Sequence, residues 1–592
     1  MTDQPSGQPA SPALVALVVG TNEAYAAGPG LDEPWPLAEV ASQVARLVES
    51  VNPRWVVWSA GNGLRGVVAA GVEVPRTWDL AEAHRLLHGG WSATPGHVVA
   101  GCRGLPARDV PLPRRGRHAG FDADLFDVAG SGSDDLLTST GHLRADALEG
   151  WASTADRVAA LAHLALECQR DQDESVRRTA GSAAERLIQT VWSESAAAVL
   201  CLELERDGLP VDRDAAEDLI GAAAGPRPQD DADAARIRTL RDRVVLRHAP
   251  GRERTDLRNP AQVRDLLSSV GIDVPSTRAW LLEPYRHTHP LVDALLTWRK
   301  DERIATTYGY RWLDEHVGAD DRLRGNWTAC DGAAGRMTAQ NGLHNLPAPL
   351  RPAICARPGH VFVRADLGQV EPRVLAVVSG DRAFAEATRS DDLYAPVAAK
   401  LGVERPVAKV AVLAAMYGQR SGAAGEALED LERAYPVAMS LLDRAYADGV
   451  ARRPLRTYGG RLIPFTAAPR PGDPATGGPD AAGDEPSGTR SDGAADAARG
   501  RYARNAIIQG SAAELFKAWA ATVRHGVRPL GGQIVLCLHD ELLVHVPLAH
   551  SDEARRTVAE ALVRASRTWA GTDQVRFVAD TSVIRRWSEA KE

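Results

Sequence analysis

The sequence predicts a multidomain α/β protein. Three observations lead there: short apolar strand-like runs stand among long Ala- and Leu-rich stretches at helical spacing, 592 residues suffice for two or more packed cores, and a 44% hydrophobic content is too apolar for wholesale disorder. Six cysteines (Cys102, Cys168, Cys201, Cys330, Cys355 and Cys537) lie far apart with no CxxC pair. That spacing argues against a zinc ribbon or a disulfide framework and fits a reducing compartment, so a cytoplasmic location is expected. The N-terminus lacks a basic segment followed by an apolar core, and no run of about 18 uninterrupted apolar residues occurs, so neither secretion nor a membrane partner is expected. A net charge of −8 excludes a protein whose whole surface coats nucleic acid, while leaving room for a basic cleft in an acidic body. Only five of the 69 basic residues are lysines (Lys300, Lys400, Lys409, Lys517, Lys591), so a lysine inside a motif is unusually informative.

Residues 1–190 open with the strand-like runs Leu14–Val19 and Trp55–Trp58 and then turn Ala-, Leu- and Arg-rich, which reads as an α/β domain. Glu194 to Ile220 reads as two helices flanking a Gly-Leu-Pro turn, with an exposed loop at Gly221 to Ala235 and helices onward to about Val317. From Asn326 to Val378 the chain becomes strand-rich: HVFVRADL (His360–Leu367) is the clearest strand, and a buried helix follows over Val370 to Val378. Helices dominate to about Ala451. Residues 466–500 hold no Val, Ile, Leu or aromatic side chain and are expected to form a mobile loop. A helix is expected from Arg499 to about Val523, and Gly531 to Pro547 reads as two strands meeting at a tight turn.

That turn carries the most chemistry. In LCLHDELLVHVP two apolar strands join through His539, Asp540 and Glu541 where Gly or Asn is usual. Adjacent carboxylates there are poised for a metal, although the pattern alone equally fits an ordinary polar turn. A second carboxylate, Asp366, closes the strand before the helix bearing Glu371 and Arg373. Two aspartates on separate strands approach within about 4 Å only across a cation, the form of a two-metal site for phosphoryl displacement. Between them, Arg405, Lys409, Leu413 and Tyr417 recur at four-residue steps on one helix face. Set among Val, Ala, Leu and Met, this helix is expected to be largely buried, its cations needing anionic partners such as phosphates; a solvated charged face is the alternative. Arg501, Asn505 and Gln509 form a third four-residue stripe, with side chains suited to base edges, sugars and phosphates.

In order and spacing these motifs resemble the family A DNA polymerases, the DNA polymerase I type, from roughly Glu194 onward. GRMTAQNGLHNLP (Gly335 to Pro347) resembles the primer-template contact motif, DLGQVEPR the first catalytic motif, RPVAKVAVLAAMYG the fingers helix, RNAIIQGSAAELFK the template-contacting helix and LHDEL the last catalytic motif. The resemblance implies a right-hand polymerase over residues 191–592: thumb at about 205–317, palm at 326–385 and 525–592, fingers at 386–465 and the mobile insertion at 466–500. It implies that Asp366 and Asp540 bind two Mg²⁺ ions, with Mn²⁺ as a substitute, supported by Glu541. Lys409 would contact the phosphates and protonate the leaving pyrophosphate, Arg405 would hold the terminal phosphate, and Tyr417 would pack by the nascent pair. Arg336, Asn345, Arg501, Asn505 and Gln509 would contact primer and template, and His539 the primer end. Glu371 matches the residue that blocks a ribose 2′ hydroxyl, which implies deoxynucleoside triphosphates as substrates.

The chain departs from the family pattern at several places. Leu413 stands for the aromatic ring that stacks on the incoming base, Tyr394 for a phosphate-contacting His, Cys537 for a Gln and Glu514 for an Asp, and the fingers are shortened on both sides of Lys409. None removes a metal ligand. Residues 1–190 occupy the place of a ribonuclease H-like 3′-5′ exonuclease domain and are expected to be an inactive remnant. Glu23, expected at the end of the first strand, lacks the aspartate two positions before it, Gly66 stands near a second expected Asp, and residues 192–196 lack the third. Asp79 suits a helix N-cap better than a ligand. No upstream 5′ nuclease domain is expected. The implied activity is template-directed DNA synthesis on primer-template DNA by a monomer, in repair or gap filling. The alternatives are a catalytically impaired, polymerase-derived DNA-binding protein and a bifunctional enzyme with residual 3′-5′ exonuclease activity.

Overall fold

The structure, a computed structural model, describes residues 12–112, 134–180, 183–340, 342–418, 424–465, 492–538 and 540–590. The chain divides into two compact units: residues 1–206, 327–338 and 363–582 form the first, and residues 207–326, 339–362 and 583–592 the second.

The first unit opens with a five-stranded sheet in the order Leu31–Pro36, Glu23–Gly28, Leu14–Val19, Arg54–Val57, Thr77–Asp79. The central Leu14–Val19 strand runs antiparallel to Glu23–Gly28 and parallel to Arg54–Val57. Period-two alternation sorts its side chains. Ala16 and Val18, with Val56, join a core containing Leu80 and Val158, whereas Val15 and Leu17, with Trp55 and Val57, join another containing Val40 and Val44. Sequence reasoning missed the second and third strands, whose Ala, Gly and Pro content is poor in β-formers. Glu23 is thereby displaced: it opens the second strand opposite Pro36 instead of ending the first.

Asp79 ends the fifth strand and caps the helix Leu80–His88, accepting from the Glu82 amide at 3.0 Å and from the Ala60 amide at 2.7 Å. Burial, and then the nearby Glu82 charge, push its carboxyl up to about 7 from 3.8. The folded state thus retains a proton that the unfolded chain releases, and the stability this confers is full below about pH 4 and lost as pH rises through 7. The thermal midpoint is expected to fall between about pH 5.5 and pH 8, and to fall less in Asp79→Asn, which keeps a capping oxygen. An unchanged slope in calorimetric scans of the variant would refute this assignment.

The helix Ala184–Asp207 is long and apolar enough by length and composition to cross a membrane, yet most of it is buried within the protein. Leu187 and Val191 enter one core of the five-stranded sheet, and Val199 and Leu202 the other. Two acids on this helix pair with the long helix Asp492–Val527. Glu194 lies 2.6 Å from Lys517 and 2.7 Å from Arg461, and Glu203 lies 2.6 Å from Arg524. Burial would raise both carboxyls, but Arg461 and Lys517 hold Glu194, and Arg524 holds Glu203, below the usual glutamate range.

The expected helix Arg499–Val523 is longer at both ends, because the Ala-rich run after Asp492 has high helix propensity. Nine residues of the expected 466–500 loop are therefore helical, and residues 466–491 lie outside the described residues. The helix Pro436–Val450 packs on this long helix, which Gly449 permits: a Cβ there would sit 2.6 Å from the Arg499 carbonyl oxygen.

A four-stranded sheet has the order Gln533–Leu538, Glu541–Pro547, His360–Leu367, Ala579–Ile584. The expected strand His360–Leu367 and the helix after it, Val370–Ser379, form as read. The first two strands make the expected antiparallel hairpin, Leu538 facing Glu541.

The second unit is mainly helical, with Val245, Leu266, Leu291, Leu295 and Trp298 in its core. The expected loop at Gly221 to Ala235 shrinks to residues 225–230, since Asp230 caps a helix beginning at Asp231 and the preceding helix runs to Ala224.

Candidate active site

Asp366 lies at the end of the strand His360–Leu367, and Asp540 in the turn between the hairpin strands. One backbone bond joins them: the Leu367 amide donates to the Asp540 carbonyl at 2.9 Å. Burial, and then the Asp366 charge, push the Asp540 carboxyl up to about 7. Burial also raises Asp366, Glu541 and Asp580 add to the rise, and the Arg364 guanidinium opposes it. Like charges forced together in a partly desolvated place leave room for a cation.

Sequence reasoning missed the side chain that partly fills that need. Arg364 lies two residues before Asp366 on the same strand, hence on the same face of the sheet. Its Nη2 donates to Asp366 Oδ2 at 2.7 Å, its Nε donates to Glu541 Oε1 at 2.7 Å, and its Nη1 lies 3.6 Å from Asp580 Oδ2. Glu541 is therefore engaged by a guanidinium. Among the described residues no three His, Cys, Asp or Glu side chains converge as a ready-made metal cage. Asp366 and Asp540 nevertheless suit magnesium, which is commonly held by one or two carboxylates together with substrate phosphates and water.

The helix Val370–Ser379 follows Gln369, whose backbone is left-handed at φ 56° and whose amide side chain ties Asp392 (2.8 Å) to the Leu393 amide (2.8 Å). Arg373, fully buried, donates to the backbone carbonyls of Gly368, Thr388, Ser390, Asp391 and Arg576, and so fixes the loop leading to Tyr394. Glu371 accepts from Tyr417 Oη at 3.2 Å and from Arg336 Nη2 at 3.4 Å. Burial raises the Glu371 carboxyl, with Arg336 and Tyr417 opposing.

The Lys409 helix, Arg405–Tyr417, forms as expected and carries its four-residue stripe. Its burial corrects the expectation: Arg405 and Lys409 are exposed, as are Val407 and Val410, while Ala408, Ala411 and Val412 form the packed face. Arg405 does have an anionic partner, Asp392, at 2.5 Å, and lies 5.8 Å from the Tyr394 ring centroid. Tyr394 is buried, which pushes its phenol up to about 12. Leu413 is half-buried between Lys409 and Tyr417 on the stripe. Tyr417, pushed up to about 12 by burial and then by Glu371, also shares a hydrogen bond with Gln509.

The third stripe lies on the long helix Asp492–Val527. Arg501 is exposed, whereas Asn505 and Gln509 are buried. Neighbouring Arg504 fastens this helix to the Lys409 helix, donating to the Ala415 carbonyl at 2.5 Å and to Asp443 at 2.8 Å. The structure thus brings together Asp366, Glu541 and Asp580 through Arg364, Asp540 with the end of the Asp366 strand through the Leu367 amide, and Glu371, Arg336, Tyr417 and Gln509 through hydrogen bonds. Asn345 belongs to the second unit, where its carbonyl accepts from Tyr308 Oη at 2.7 Å and Arg303 Nη2 at 3.0 Å. His539 lies outside the described residues.

The family model for DNA polymerase family A matches residues 247–589, more than half of the 592. The chain belongs to DNA polymerase family A. Among curated relatives, DNA polymerase I of Chloroflexus aurantiacus is 30% identical over 306 residues, covering 48% of this chain and 31% of that protein. The thermostable DNA polymerase I of Thermus filiformis is 27% identical over 350 residues, covering 54% and 38% respectively. The match spans about a third of the length of these family A relatives. A solved structure, the POL domain of Pol1 from M. smegmatis in complex with DNA primer-template and dNTP, superposes with a TM-score of 0.64 at 20% identity and covers 98% of this chain and 96% of that one. At that identity the likeness shows the fold, a mixed α/β polymerase domain.

Proposed function

We propose that this chain is a template-directed DNA polymerase that adds deoxynucleotides to a primer 3′ end, acting in the cytoplasm in repair or gap filling. The observation that carries the reading is the pair Asp366 and Asp540, two carboxylates joined at adjoining strand ends and each raised by burial and by the other acids of the cluster. Divalent ions, Mg²⁺ or Mn²⁺, bound there would activate the primer 3′ hydroxyl and neutralise the triphosphate. Asp366 and Asp540 hold that charge at the reacting centre. Exposed Lys409 and Arg405 offer cations to the phosphates, and Lys409 carries the proton for the leaving pyrophosphate. For Arg405 this means exchanging Asp392 for a phosphate oxygen.

The palm is assigned to 326–385 and 525–592, the fingers to 386–465 and the thumb to 205–317. Arg336, Asn345, Arg501, Asn505, Gln509 and His539 are assigned to primer and template. Residues 1–190 are read as an exonuclease-type domain without activity, a reading supported by Asp79, both of whose oxygens are taken by backbone amides.

The test is extension of a primed template by the purified protein with Mg²⁺, each deoxynucleotide offered singly. Addition of only the template-complementary base is expected. If clean protein that binds primed DNA fails to extend with either Mg²⁺ or Mn²⁺, it is a binding protein instead.

Sugar selection supplies a further expectation. Glu371 is held by Tyr417 and Arg336, so its carboxylate is a fixed wall rather than a mobile chain. Glu371→Ala is expected to raise ribonucleotide incorporation relative to deoxynucleotide by about 10- to 100-fold in kcat/KM. An unchanged ratio would remove Glu371 from this role.

A further inference from the structure

The side chain that links the acids of the candidate site is itself an ion competitor. Arg364 is buried, its side chain 9% exposed, and each of its three nitrogens addresses a different carboxylate: Asp366, Glu541 and Asp580. The three acids come from three neighbouring strands of one sheet, with Arg364 on the middle strand. Its fork therefore occupies one oxygen of Asp366, an assigned metal ligand, and holds Glu541 beside the site. Together with Asp540 the cluster has four acids and one base, so a guanidinium already neutralises part of the charge that would draw a dication.

We propose that Arg364 is a positioning residue acting as a built-in counter-ion: it keeps the carboxylates ordered before any ion arrives and weakens the site's resting affinity for divalent cations. Loading then depends on the negative charge brought by the incoming triphosphate, which adds ligands and outweighs the guanidinium. Two physical effects oppose one another when Arg364 is changed. Loss of its fixed unit charge beside a doubly charged ion favours binding, and loss of its fork loosens Asp366 and Glu541. In a half-buried site the charge effect is the larger, because a dication interacts twice as strongly with that charge as a monovalent ion does. Arg364→Gln removes the charge and keeps two donors, whereas Arg364→Lys keeps the charge and loses the planar fork.

The inference rests on Asp366 and Asp540 being the ion site, and the experiment separates the two. Mn²⁺ alone is titrated into the full chain without DNA or nucleotide, with free Mn²⁺ read by electron paramagnetic resonance. The proteins are wild type, Arg364→Gln, Arg364→Lys and Asp540→Asn, each checked for folding by circular dichroism. Arg364→Gln is expected to bind about tenfold more tightly than wild type, Arg364→Lys within about threefold of it, and Asp540→Asn far more weakly than either. Equal or weaker binding by Arg364→Gln, with binding still lost in Asp540→Asn, overturns the counter-ion role alone. Binding that is absent in wild type and Arg364→Gln alike, or unchanged in Asp540→Asn, overturns the ion site and this inference with it. Should Arg364→Gln fail to fold, Arg364→Lys decides: tighter binding by that variant, which keeps the charge, would overturn the role.

Discussion

Asp540→Asn is expected to lower the rate of primer extension by about a thousandfold or more while leaving the protein at least as stable as wild type. The two halves of this expectation have one cause. Asp540 is pushed up to about 7 by burial and by the Asp366 charge, so the resting fold carries an electrostatic strain that the amide removes. A group whose removal stabilises the fold and abolishes the reaction is held in place for chemistry. The same shift sets a pH dependence. A cation must displace the proton from Asp540, so apparent Mg²⁺ affinity should rise about tenfold per pH unit up to roughly pH 7 and level off above it. In Asp540→Asn that rise should flatten. Extension within tenfold of wild type would place the reacting centre elsewhere.

Glu194→Ala is expected to destabilise the first unit by about 3–5 kcal/mol, read as a large fall in the thermal midpoint. Glu194 and Lys517 are both fully buried, and Arg461 nearly so. Deleting the acid leaves two cations in a place water does not reach, and an uncompensated buried charge is far more damaging than the loss of a surface pair. Lys517→Met introduced into the Glu194→Ala background should recover part of the loss, because one of the stranded charges then disappears. If the double variant is no more stable than the single, the penalty arises from packing rather than charge.

Legibility from sequence followed the kind of interaction involved. His360–Leu367, the helix after it and the hairpin around Asp540 were readable because each is a local pattern: an apolar run, a helical period, a carboxylate where a turn residue is usual. The strands Glu23–Gly28 and Leu31–Pro36 were not, since their residues are weak β-formers and the sheet pairing makes them strands. The Lys409 helix was located correctly but judged too buried, because its Val residues at 407 and 410 look like core and in fact face outward. Arg364 escaped notice for a different reason. One arginine in a strand reads as a solvent-facing position, and the glutamate that holds it lies 177 residues further on. Tertiary charge pairing of that range leaves no local trace.

The helix Ala184–Asp207 leaves the chain without a seam at 190/191. It is unbroken there, with its earlier half in the core of the N-terminal sheet and Glu194 and Glu203 fastened to the long helix Asp492–Val527. Anyone dissecting the chain into a catalytic fragment would cut through this rod or strip its sheet-facing side. A fragment starting near residue 191 would expose Val191, Val199 and Leu202 as a greasy stripe and would begin three residues before the acid that neutralises Lys517. The expected product is an aggregating polypeptide. On the proposed reading of residues 1–190 as an exonuclease-type domain without activity, covering this stripe is a structural reason to keep it.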